Sequence, residues 1–321
     1  MSEAAPTSWR SRAVRLVGNA VAVAGIVFVA LTVQRHLAAL PPLQLSPPLS
    51  VTIALGVVAN VVAMVVGAWT WRTLLAAAGA PISWRSSFSI VGRANLAKYL
   101  PGNVFHIVGR AGLAANEEGL KLPLVLATMT IETLMIIAIA FALGAPAAVS
   151  QLDALRAMVP AGPWLLLGAL GLAVALVVVV AVVLRRRHVV ISSVALAKVA
   201  AADVVTCVLL GSSVYALLAT AFPTTTMPWS ICVSGFSLAW VLGFVTPGAP
   251  GGVGVREAIF LLLAAHSTTA EDPTLAAAFS AAIAATVVVG RLQSVVADVI
   301  VFVVARAMAP APPQGRVATI K

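Results

Sequence analysis

Charge is what this chain has least of. Only 9% of its residues are Asp, Glu, Lys or Arg and 61% are hydrophobic. An ordinary globular domain is about 25% charged and about 45–50% apolar. A water-soluble fold cannot hide so much apolar surface, because part of any chain must face solvent. Cysteine is scarce as well. Cys207 and Cys232 stand alone in apolar segments, where a thiol behaves as a small hydrophobe. They form no CxxC or Cys/His metal spacing and cannot make a disulfide framework. The chain also lacks the Gly-Lys-Ser/Thr ending of a nucleotide loop and the strand context of a dinucleotide fingerprint. It has no Ser-centred elbow for acyl transfer, and no paired His/Asp/Glu spacing points to a metal. No cofactor is expected.

What is present is a series of long apolar runs, the pattern of an all-α integral membrane protein. A spanning helix needs about 20 mainly apolar residues. Runs of that kind occupy Leu16–Val33, Leu49–Trp69, Leu122–Ala145, Pro163–Leu184, Val194–Phe222, Trp229–Val245, Thr274–Gly290 and Leu292–Ala305. The first follows Arg10, Arg12 and Arg15 but is too long for a signal peptide's apolar core. Gln34-Arg35-His36 follows it in place of a cleavage site, so it reads as an uncleaved span. Pro41-Pro42 and Pro47-Pro48 read as a loop that a helix does not tolerate. Trp69, Trp71 and Arg72 resemble an interfacial belt. Arg291 falls between the last two runs and is expected near a tight external turn. Residues 1–309 form a single polytopic membrane domain, and 310–321 form a Pro-rich basic tail expected to be disordered.

The net charge is +10. In a soluble protein that excess would raise nucleic acid as a partner. Here the basic residues flank apolar spans, so topology explains them and no nucleic acid is expected. With the N-terminus inside and about eight crossings, the inner side collects Arg10, Arg12, Arg15, Arg72, Arg85, Lys121, Arg185, Arg186, Arg187, Arg306, Arg316 and Lys321. The outer loops keep only Arg35 and Arg156. Both termini are therefore expected in the cytoplasm, and the protein in the plasma (inner) membrane.

Two regions break the pattern, at 84–118 and 246–266. The first contains Lys98-Tyr99-Leu100-Pro101-Gly102 and then His106 and Arg110. The second reads Pro247-Gly248-Ala249-Pro250-Gly251-Gly252-Val253-Gly254-Val255-Arg256-Glu257. Each has an Arg nine residues after its first Pro (101 to 110, 247 to 256). Two readings fit. They are cytoplasmic loops with turn residues, or they are paired re-entrant broken helices, the arrangement of an inverted repeat. Irregular backbone survives at membrane depth only where it is buried in protein or lines a wet cavity. Half-helix N-termini there favour anions, and an adjacent Arg adds a bidentate fork for phosphate.

These two segments resemble the signature segments of the lysylphosphatidylglycerol synthase transmembrane family, the flippase-type membrane domain. The residues that carry the resemblance are Lys98-Tyr99-Leu100-Pro101-Gly102 with Gly109-Arg110, and Pro250-Gly251-Gly252-Val253-Gly254-Val255-Arg256-Glu257. The resemblance implies a helical bundle with two re-entrant segments that moves or binds anionic or aminoacylated phospholipids. The family's full synthases carry a large soluble catalytic domain after the membrane part. This chain ends at Lys321, shortly after its last span, so tRNA-dependent aminoacylation is not expected of it.

The expected headgroup site therefore comprises Lys98, Pro101, Gly102, Arg110, Glu132, Pro250, Gly251, Gly252, Gly254, Arg256 and Glu257. Arg93, His106, Arg291 and Asp298 are secondary candidates. An embedded carboxylate such as Glu132 is costly unless paired. It reads as a partner for Arg110 or Arg256, a proton-coupling group, or a structural ion pair. Arg291 and Asp298 share a helix face two turns apart. Lys198 and Asp203 are expected at the inner interface. Two other readings compete with transport. One is a membrane-embedded transferase using Glu117/Glu118 or Asp272, although adjacent carboxylates on a helix seldom converge. The other is a non-catalytic partner of a lipid-modifying enzyme. Asn60 and the small residues Gly67, Gly168, Gly171 and Gly211 fit close helix packing and are compatible with a homodimer.

Overall fold

The computed structural model describes residues 46–99, 105–150, 171, 191–223, 227–246, 255–256, 258–260 and 273–309. Among them the fold is all-helical. The helices are α1 (Pro47–Ala77), α2 (Trp84–Asn95), a 3-10 turn (Leu96–Tyr99), α3 (Phe105–Glu118), α4 (Leu122–Ser150), α5 (Ser193–Ala221), α6 (Trp229–Val245) and α7 (Pro273–Ala307). Four of these contain stretches long and apolar enough to cross a membrane: Pro47–Ala77, Leu122–Ala147, Ser193–Ala221 and Ala281–Ala307. The runs at Leu16–Val33 and Pro163–Leu184 and the tail 310–321 lie outside the described residues.

Local chemistry sets the helix starts. Ser46, Ser83 and Ser192 cap α1, α2 and α5, accepting from the backbone N–H of Leu49, Ser86 and Ala195. Pro47 and Pro48 are the first two residues of α1, not a loop. The first turn of a helix needs no backbone donor, so proline is tolerated there. Gly119 closes α3 with φ +67, a left-handed conformation that glycine adopts without strain.

α5 packs against α1, α4, α6 and α7. At one end of the bundle, here called upper, Leu49 of α1 meets Leu217 and Ala221 of α5 and Val289 of α7. At the lower end, Leu74 of α1 meets Ile131 of α4 and Val199 of α5. α1 and α7 therefore descend while α4 and α5 ascend. α2 starts at the lower end, where Arg85 Nε donates to Met308 O at 2.9 Å and Ser89 Oγ to Ala305 O at 3.0 Å. It climbs along α7, and α3 returns beside it. A bidentate Arg93–Glu117 pair (2.8 and 2.6 Å) ties the two legs. α6 starts at the upper end, where Trp229 Nε1 donates to Ser212 Oγ at 2.9 Å. It descends until Val241 packs near Ile137 and Cys207. Phe260 joins Leu218, Cys232, Phe279 and Ile283 near the start of α6.

Two expectations fail here. Thr274–Gly290 and Leu292–Ala305 are one continuous 35-residue helix, so Arg291 sits inside α7 and not at an external turn. Gly290 alone does not break the helix, since a mid-helix glycine costs only about 1 kcal/mol relative to alanine. Trp71 belongs to no interfacial belt. It is fully buried, and its Nε1 donates to Thr128 Oγ1 at 3.3 Å.

Candidate functional site

The site is built around Asp298, which is 2% exposed. It lies nine residues before the end of α7 at Ala307, about 14 Å along the axis at 1.5 Å per residue. The top of the α2 leg closes over it. Asn95 Nδ2 donates to Asp298 Oδ1 at 2.7 Å and Lys98 Nζ at 2.9 Å. Tyr99 Oη donates to Oδ2 at 2.5 Å. Asn95, Lys98 and Tyr99 stand at i, i+3 and i+4, so one face delivers all three donors. The Arg291 guanidinium lies 5.9 Å from the Tyr99 ring centre, one face of α7 having carried it two turns from Asp298. Burial pushes the Lys98 ammonium below the ordinary lysine range, opposed by the adjacent Asp298 carboxylate.

This cluster forms part of the wall of a cavity of about 360 Å³. That volume falls in the roughly 300–1,000 Å³ range of small-molecule sites. Its polar wall contains Lys98, His106, Arg256, Arg291 and Asp298, with Asn60, Asn95 and Gln293 beside them. Its apolar wall includes Ile136, Leu210, Phe236, Trp240, Phe244 and Val287. Burial pushes the His106 imidazole from 6.5 down to about 4, with Lys98 and Arg110 adding to the effect. His106 is therefore neutral near pH 7. Three cations (Lys98, Arg256, Arg291) and one carboxylate (Asp298) leave the wall with a net charge of +2.

Arg256 arrives from the second broken segment. Its stem lies on Gly243 of α6, where a Cβ would come within 2.4 Å of Arg256 Cγ. Its guanidinium sits 5.5 Å from the Trp240 ring centre. The glycine lets the arginine cross α6 closely, and the tryptophan face favours the cation. The two broken segments thus both contribute to the wall: Lys98 and His106 from the first, Arg256 from the second.

The remaining sequence candidates fall elsewhere. Arg110 pairs with Glu132 at 2.8 Å and covers the Trp71 ring at 4.1 Å, while Thr70 Oγ1 donates to Glu132 at 3.0 Å. Neither Arg110 nor Glu132 lines the cavity. Glu132 is thus the partner of Arg110 and not of Arg256. Arg93 is held by Glu117. Pro101, Gly102, Pro250, Gly251, Gly252, Gly254 and Glu257 lie outside the described residues. Asp203, expected at the interface, is buried in α5 at 6% exposure, whereas Lys198 is exposed. Sequence reading passed over Asn95, Tyr99 and Gln293 as site residues. The i, i+3, i+4 spacing of Asn95, Lys98 and Tyr99 was the available signal. Gln293, whose Nε2 donates to the backbone carbonyl of Ile53 at 3.2 Å, carried no such signal. No family model matches the chain, and no curated protein matches it.

Proposed function

We propose that this protein is a flippase-like membrane lipid transporter that draws the headgroup of an anionic phospholipid into the cavity. The observation that carries the reading is the wall itself: a net charge of +2 on Lys98, Arg256, Arg291 and Asp298, facing an apolar wall inside a bundle of membrane-length helices. Phosphate suits guanidinium forks, and the acyl chains need no polar partner. The excess of positive charge favours anionic headgroups over aminoacylated ones, which carry an added ammonium. The resemblance of the two broken segments to the lysylphosphatidylglycerol synthase transmembrane family agrees with this reading.

The fold also supports a revised topology. Two antiparallel turn-backs, α2–α3 from the lower end and α6 with residues 255–260 from the upper end, are read as re-entrant hairpins of an inverted repeat. With α7 a single crossing, the spanning segments are Leu16–Val33, α1, α4, Pro163–Leu184, α5 and α7. This even number keeps both termini on the cytoplasmic face, which is then the lower end, of the plasma membrane. No ATP-binding motif is present in the sequence, so the drive is a gradient, a potential or mass action.

The test is headgroup accessibility in proteoliposomes carrying fluorescent anionic, zwitterionic or aminoacylated phospholipids. The protein should expose the anionic lipid fastest. Equal rates for all three would overturn the anionic selectivity, and no movement by protein shown to be folded would favour the non-catalytic partner reading.

A further inference from the structure

α5 carries a buried acid that the cavity does not use. Asp203 lies ten residues into Ser193–Ala221, about 15 Å from the helix start. It is 6% exposed, its Oδ2 has no hydrogen-bond partner, and no cation pairs with it among the described residues. This contrasts with the other two carboxylates buried in the spanning helices. Asp298 has three donors, and Glu132 has Arg110 and Thr70.

Among the described residues, the neighbouring elements offer Asp203 no counter-charge. The helices packed on α5 are α1, α4, α6 and α7. Their charged or titratable side chains are Arg72 on α1, Glu132 on α4, Cys232 on α6, and Arg291, Asp298 and Arg306 on α7. Arg72 is occupied by Ile82 O. Arg291 and Asp298 belong to the Tyr99 cluster. Arg306 lies in the last turn of α7, near the lower end. Of all these, Glu132 is the group that acts electrostatically on Asp203, and it is a like charge. On α5 itself the Cys207 thiol follows one turn later, Lys198 is exposed, and Tyr215 is three turns away. A lone carboxylate buried among apolar side chains costs far more than its neutral acid.

We propose that Asp203 is a proton-binding site. In this conformation it holds a proton as the carboxylic acid. It gives that proton to water when the cavity, whose wall includes Thr206 and Cys207 one turn away on the same helix, opens toward it. The carboxylate left behind takes a proton back from that water before the cavity closes over it again. Arg110 is engaged by Glu132 at 2.8 Å. The site stands independently of what the cavity carries, and supplies a route by which a proton gradient acts on the bundle.

The test is infrared difference spectroscopy on the full-length protein in lipid nanodiscs at neutral pH, wild type against Asp203→Asn. The wild type should show a protonated-carboxyl carbonyl band that Asp203→Asn lacks. If the variant does not fold, wild type labelled with a heavy isotope at the aspartate carboxyl carbon reads the same band by its isotope shift. Only carboxylate stretches from aspartate at neutral pH would overturn the assignment. A carboxylate signal that appears with added sodium would also overturn it, replacing the proton by a metal cation. Neither readout requires lipid movement, so failure of the transport reading remains distinguishable.

Discussion

Asp298 is satisfied by three donors from one face of the α2 leg, and that makes it the residue whose loss is felt most widely. Removing one partner of a buried ion pair strands the other and costs about 3–5 kcal/mol. Asp298→Ala should therefore lower the thermal midpoint more than Glu117→Ala, because the Asp298 side chain is 3% exposed against 19% for Glu117 and its loss also strands Asn95 and Tyr99. Equal losses in a thermal-shift experiment would contradict the account of the cluster. His106 gives a pH-dependent counterpart. Its imidazole, pushed from 6.5 to about 4, binds fewer protons folded than unfolded between those values. Stability is thus unaffected by it above about 6.5 and falls as pH drops through that window. His106→Gln should remove that part of the acid sensitivity, measured as the difference in midpoint between pH 7 and pH 4.5. At this scale the sequence named part of the cavity wall. Lys98 and Arg256 stood out in the two broken segments, and Arg291 and Asp298 as secondary candidates, charges two turns apart on one helix face. Their partners were hidden, because Asn95 and Tyr99 meet Asp298 across some two hundred positions of chain.

At the scale of the element, glycines set how closely helices approach. A Cβ on Gly211 of α5 would lie 2.6 Å from Val233 Cα, a backbone atom of α6 that cannot rotate away. Gly67 of α1 has nothing within 4 Å of the same position. Gly211→Ala should destabilise by about 1–3 kcal/mol through overpacking. Gly67→Ala should be neutral or stabilise by up to about 1 kcal/mol through helix propensity. Denaturation of the two variants in parallel distinguishes them, and no loss at Gly211 would argue against the close α5–α6 contact. Helix existence was plain from apolar runs, but helix ends were not. Proline at a helix start looks the same in sequence as proline in a loop, which is why Pro47 was misjudged. An arginine inside α7 looked like a turn because its reason for being there, the cavity, comes from other elements.

At the scale of the whole molecule, the proposed topology has two turn-backs entering from opposite ends. Cysteine labelling tests it. Lys121 and Ser50 are exposed at the lower and upper ends, while both native cysteines are buried. In oriented membranes Lys121→Cys should react with an impermeant thiol reagent from the cytoplasmic side only, and Ser50→Cys from the opposite side only. Reaction of both from one side would break the topology. The membrane class was legible because it depends on composition alone. The count of crossings belongs to the proposed topology: α6, an apolar helix of 17 residues, has the composition of a span, and Phe260 packed beside Cys232 is what favours reading it as a turn-back.

The most direct measurement is the initial rate at which a fluorescent anionic phospholipid becomes accessible across proteoliposomes, with wild type and Arg256→Ala both shown to be monodisperse. Arg256 lines the cavity and is the contribution of the second broken segment to its charge. The account predicts rapid exposure by the wild type and at least about a tenfold loss in Arg256→Ala, the equivalent of roughly 1.4 kcal/mol and a modest figure for a charge-assisted contact. Equal rates from the two proteins would contradict the claim that this cavity handles the headgroup.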